Sequence, residues 1–177
     1  VIDLRNNPGG LLGEAVAIAD LFVPEEDAGK KSPSVIVATR GRLPVANKVF
    51  EATACAKRPR LPIAVLVNEG SASASEVLAG TLREHGLAFL VGERTFGKGS
   101  VQRVIPLEPF ESALALTIAT YHMPSGMTPH RKGIEPDVVV GLSDEERLAA
   151  ARSVYEAGVA KDRQLEVALA ELAKRAR

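Results

Sequence analysis

The chain has 177 residues, 46% hydrophobic and 25% charged, with 22 Lys and Arg balancing 22 Asp and Glu. That length and composition suit one globular domain with a good core. Zero net charge argues for neither a nucleic-acid nor an anionic-membrane partner, and the lack of Trp with only 4% aromatics argues against a base-stacking platform. A single cysteine, Cys55, excludes an internal disulfide and a cysteine metal cluster. It reads as a small buried or loop hydrophobe. No apolar run approaches the roughly 20 residues of a spanning helix.

The chain opens VIDLRNNPGG, without an initiator Met and already inside an apolar strand-like run. It reads as a C-terminal piece whose targeting signal and first strands lie upstream. Val1 to Leu4 is expected to end a buried strand, and Asn6 to Gly10 is a dense turn signal. Apolar residues at Leu12, Ala15, Val16, Ala19 and Phe22 recur at helical spacing until Pro24. A polar loop, a short β-branched strand over Val35 to Thr39 and a basic, irregular connection over 40–60 follow.

Leu61 to Val67 is a continuous apolar run, as expected of a central strand covered on both faces. A helix is predicted from about Ala74 to His85, with Gly86 at its end, and a strand over Leu87 to Val91. Extended segments are predicted at Val101 to Leu107 and Ala113 to His122, joined by a loop around Pro109, with a last strand at Val138 to Val140. Ser143 to Glu146 is a capping box opening a helix, and Leu165, Ala168, Leu169 and Leu172 stripe a second. Strands separated by helices imply an α/β domain with a largely parallel sheet and a helical tail.

Three chemistries compete for the polar residues. Gly92 to Gln102, GERTFGKGSVQ, comes within one residue of the phosphate loop G-x-x-x-x-G-K-[ST]. That loop needs a helix after it to supply amides for the anion, and the β-branched run from Gly99 to Pro106 continues as a strand instead. A Ser-His-Asp hydrolase is suggested by the strand, turn and helix around Ser73, but the G-x-S-x-G elbow pattern is absent. His85 suits a helix C-terminus, and His122 and His130 flank a loop as surface or structural residues.

The third chemistry joins Ser73 with Lys98. A serine hydroxyl needs a base, and lysine serves where its surroundings favour the neutral amine. Lys98 lies between Gly97 and Gly99, flanked by two apolar strands. Gln102, an even number of residues on, would share its face in an extended segment and orient the amine. The amide of Ala74 at the helix start, and one from the Pro8-Gly9-Gly10 turn, could hold an oxyanion. The alternative is structural: Ser73 with Glu76 is also an S-x-x-E capping box, the glycines only a turn and Lys98 a solvated charge.

The stretches VIDLRNNPGGLLGEAVAIADLFVP, VLVNEGSASASEVLAG, VGERTFGKGSVQ, LALTIATYHMPSG and KGIEPDVVV, in that order over residues 1 to about 140, resemble the carboxyl-terminal processing (tail-specific) proteases. The resemblance implies Ser73 as nucleophile, Lys98 as general base and Gln102 as the residue orienting it. It implies an oxyanion hole from the amides of Ala74 and a turn glycine, with Gly9 favoured over Gly10. It implies a crotonase/Clp-protease-like core over 1–141 with a C-terminal helical extension over 142–177. No metal or cofactor is implied. Partners would be protein or peptide substrates held by their C-terminal tails, with an upstream PDZ domain helping to receive them. Any membrane contact would come from upstream segments, and the compartment would be the bacterial cell envelope. A non-hydrolytic acyl-CoA binder of the same fold and a non-enzymatic interaction module remain the alternatives.

Overall fold

The computed structural model describes residues 1–26, 32–53, 61–109, 111–153 and 162–175. Cys55 lies outside them. The first sheet is parallel, in the order β1 (Ile2–Asp3), β4 (Ile63–Val67), β5 (Ala88–Gly92), β8 (Val138–Val139). Its centre is the pairing of β4 with β5, from Ile63 opposite Ala88 to Val67 opposite Gly92. All five residues of β4 are buried. Alternation sends Ile63, Val65 and Val67 into one core and Ala64 and Leu66 into another. This explains the unbroken apolar run: both faces of the strand are covered.

The larger core packs β4 against α1 (Leu12–Asp20) and α2 (Ala74–Glu84), through Ala15, Ala19, Val77, Leu78 and Leu82. Each such fully buried Val or Leu contributes about 1.5–3 kcal/mol from area removed from water. Gly86, with φ +67°, ends α2 as expected. On the other face, Ala64, Leu66, Phe89 and Val91 meet Ala168, Leu165 and Leu172 of α4 (Arg163–Arg175), and the Arg175 guanidinium stacks over the Phe89 ring at 4.1 Å. The helix α3 (Asp144–Ser153) opens with the predicted box: Ser143 N–H donates to Glu146 Oε2, and Glu146 N–H to Ser143 Oγ.

The remaining strands form a separate antiparallel sheet in the order β3 (Lys48–Glu51), β2 (Val35–Gly41), β7 (Ser112–His122), β6 (Ser100–Leu107). Thr81 of α2 donates to Ile36 O at 2.7 Å and ties this sheet to the larger core. Two expectations change here. The connection over 40–60 contains β3 and a 3-10 turn at Pro44–Ala46. The stripe of α4 also differs: Leu169 is 52% exposed, and the polar Gln164 is fully buried with Ala168.

Candidate active site

The carboxyl ends of β1 and β4 and the start of α2 meet around Ser73. This residue precedes α2 with φ +57° and ψ −118°. A positive φ at a non-glycine residue is strained by roughly 1–3 kcal/mol and persists only where its surroundings over-determine it. The surroundings here are hydroxyl clamps. Where an elbow pattern has glycines two residues either side of the nucleophile, this chain has Ser71 and Ser75. The Ser71 hydroxyl donates to Leu4 O at 2.7 Å and accepts from Asn68 N–H at 3.0 Å, fully buried. Ser75 Oγ donates to Asn7 O at 3.1 Å, and the same carbonyl accepts from Ala72 N–H at 3.0 Å. The missing elbow pattern is thus replaced by bonds to the turn after β1.

That turn supplies the space the elbow needs. Gly9 has φ +88°, and a Cβ built on it would lie 2.5 Å from Ala72 O and 2.7 Å from Ala74 N. Only glycine fits there. Its own N–H donates to Asn7 Oδ1 at 2.9 Å. Among the described residues, the N–H groups of Ala74 and Gly10 have no hydrogen-bond partner. A cleft of about 270 Å³ opens beside them, lined by residues including Gly9, Gly10, Leu11, Ile18, Ala74 and Leu78.

Glu76 joins this elbow to the loop that carries Lys98. The side chain is fully buried, and both carboxylate oxygens accept twice. Oε2 accepts from the backbone N–H of Ser73 (2.9 Å) and of Lys98 (2.8 Å). Oε1 accepts from Gly97 N–H (2.8 Å) and from the Thr95 hydroxyl. Thr95 Oγ1 in turn accepts from Ile134 N–H at 2.7 Å, and Phe96 N–H donates to Ser71 O at 3.0 Å. Sequence reasoning found Glu76 only as a helix cap. Its other partners are 19 to 22 residues away, so no local spacing signals them.

Lys98 itself is exposed, and among the described residues its amine makes no hydrogen bond or ion pair. The flanking glycines explain this. A Cβ at Gly97 would meet Gly133 N at 2.8 Å and one at Gly99 would meet His130 N at 2.5 Å. The glycines therefore seat the loop against residues 129–133 and leave Lys98 facing outward. They make room for that neighbouring backbone more than for the lysine. Gln102 lies exposed in β6 opposite Thr117, and a bulge between Val101 and Gln102 interrupts the alternation assumed from its even spacing.

The histidines make contacts of their own. His85 Nε2 lies 2.8 Å from Val35 O. His122 contacts the Thr120 hydroxyl and Gly126 O. His130 packs its backbone on Gly99.

A strained serine at a helix start, facing a glycine turn at the carboxyl ends of parallel strands, is the architecture of an elbow site on an α/β core. The chain belongs to peptidase family S41, whose family model matches residues 1–140. It is 46% identical over 140 residues to a carboxy-terminal-processing protease of Bartonella bacilliformis, covering 79% of this chain and 30% of that protein. It is 45% identical over 140 residues to a carboxyl-terminal-processing protease of Synechocystis, again covering 79% and 30%. Among solved structures, the photosystem II D1 C-terminal processing protease superposes with a TM-score of 0.66 at 36% identity, covering 78% of this chain and 33% of that one. The chain thus spans about a third of the length of these relatives.

Proposed function

We propose that this chain is the catalytic core of a serine endopeptidase that cleaves proteins near their C-termini through Ser73 and Lys98. Ser73 Oγ attacks the scissile carbonyl carbon while its proton passes to the Lys98 amine. The carbonyl oxygen becomes an oxyanion, held by the Ala74 N–H at the positive end of α2 and by a second amide from the Gly9-Gly10 turn. Collapse breaks the C–N bond, and Lys98 returns the proton to the leaving amine. Water then attacks the acyl-enzyme, giving its proton to Lys98, and the Ser73 hydroxyl is regenerated. Gln102 orients the lysine amine, and the cleft beside Ala74 takes an apolar side chain next to the scissile bond. The substrate's C-terminal tail is delivered by an upstream PDZ domain, in the bacterial cell envelope.

The observation that carries this reading is the shared carboxylate. Glu76 holds the backbones of Ser73 and Lys98 on one oxygen, so two residues 25 positions apart are fixed as one unit. The full-length protein with a C-terminal peptide substrate tests the reading. Ser73→Ala and Lys98→Ala should each abolish cleavage, while His85→Ala and His130→Ala retain it. Cleavage that survives Lys98→Ala but is lost in a histidine variant would replace the lysine base with a histidine.

A further inference from the structure

The turn over the nucleophile is held from below by a side chain no catalytic step uses. Arg5 stands between Leu4, whose carbonyl binds Ser71 Oγ, and Asn7, whose carbonyl binds Ala72 and Ser75. Its side chain is 13% exposed and all five guanidinium N–H groups are engaged. Nη1 and Nη2 grip Asp162 as a fork, at 2.9 and 2.6 Å. Nη1 also donates to Gln164 Oε1 at 3.1 Å, and Nε and Nη2 donate to Asp3. Asp162 caps α4, accepting from Leu165 N–H at 3.0 Å, while Gln164 donates to Val140 O at 2.8 Å.

Packing does not account for this cluster. Leu165, Ala168 and Leu172 already seat α4 on the sheet by apolar contact. A fully buried glutamine and a part-buried ion pair add desolvation cost, and what such groups add in return is a unique placement. Here the thing placed is the residue leading into the Asn7-Pro8-Gly9-Gly10 turn. We infer that Asp162 and Gln164, beyond the residues matched by the family model, are positioning residues that hold the oxyanion turn in register through Arg5. The helical extension is then part of the catalytic unit. This rests on the peptidase reading above.

The experiment uses the full-length protein and a fluorophosphonate. In labelling, Ser73 Oγ forms a bond to phosphorus, fluoride leaves, and Lys98 takes the proton. Asp162→Asn keeps the cap, since Asn caps as well as Asp, and removes the charge fork. Labelling and kcat should each fall about tenfold or more, short of the roughly 10²–10³ lost with an oxyanion donor, with KM little changed. Asp162→Glu should recover part of the loss, and Leu169→Ala, on the exposed face of the same helix, should match wild type. Should Asp162→Asn fail to fold, Gln164→Leu carries the same expectation with the ion pair intact. Wild-type labelling rates in Asp162→Asn or Gln164→Leu would overturn the inference. A wild-type protein that fails to label, or one that still labels as Ser73→Ala, overturns the peptidase reading itself.

Discussion

Ser73 and Lys98 are tied to the same atom: Glu76 Oε2 accepts the backbone N–H of both, at 2.9 and 2.8 Å. The tie is made through main chain and involves neither side chain. Glu76→Gln tests it. The amide keeps one acceptor oxygen but turns an NH₂ group toward N–H donors. Replacing two bonds to a charged acceptor should cost about 3 kcal/mol or more. The urea midpoint should fall, and peptide cleavage should fall further than the fraction unfolded explains. Unchanged midpoint and activity would remove Glu76 from the account.

The Gly9 and Gly10 positions make a matched pair. Gly9→Ala forces a Cβ against Ala72 O and Ala74 N at a φ of +88°, whereas a Cβ at Gly10 meets nothing within 4 Å. The backbone conformation alone costs alanine roughly 1–2 kcal/mol at position 9. Gly9→Ala should lower the melting temperature and abolish peptide cleavage, while Gly10→Ala folds with wild-type stability. Equal melting temperatures for the two would contradict the close approach.

Ser71 and Ser75 should separate by burial. Ser71→Ala leaves the buried Asn68 N–H without its partner and Leu4 O with only the Asn7 N–H, a loss of about 2 kcal/mol. Ser75, whose bond to Asn7 O is only part-buried, should lose less than half as much as alanine. Chemical denaturation of the two variants measures the difference directly.

Acid should erase the Asp162 contribution. Burial alone pushes this carboxyl up, but Arg5 and the backbone N–H groups of Leu165 and Gln164 hold it below the usual carboxylate range. A depressed folded pKa gives stability that is present above the unfolded value, near 4, and is lost as pH falls through the folded one. The stability gap between wild type and Asp162→Asn should be full at neutral pH and shrink toward zero well below about pH 4. Arg5 stays charged throughout this window, and Asp3 remains its other partner in both proteins. A gap that does not change with pH would mean that charge is not what Asp162 supplies.

How much of this was legible depended on the range of each interaction. The buried run at Ile63–Val67, the helix after Ser73 and the box at Ser143–Glu146 all follow from local pattern, and all stand in the fold. The strand β3 did not announce itself: Lys48, Val49 and Glu51 are exposed and Phe50 is half-buried, so apolar and polar positions do not alternate. The burial of Gln164 depends on Arg5, 159 residues away, and no helical period encodes that. Likewise, glycines beside Lys98 signalled close approach without saying by what. The approaching group is the backbone of residues 129–133.

Because a buried carboxylate grips main chain at positions 73 and 98, the identity of either side chain is uncoupled from the scaffold that presents it. Alanine at Ser73 or Lys98 should leave every one of those anchors in place. An inactive Ser73→Ala protein would then remain a faithful receptor, able to retain uncut substrate long enough to be isolated with it.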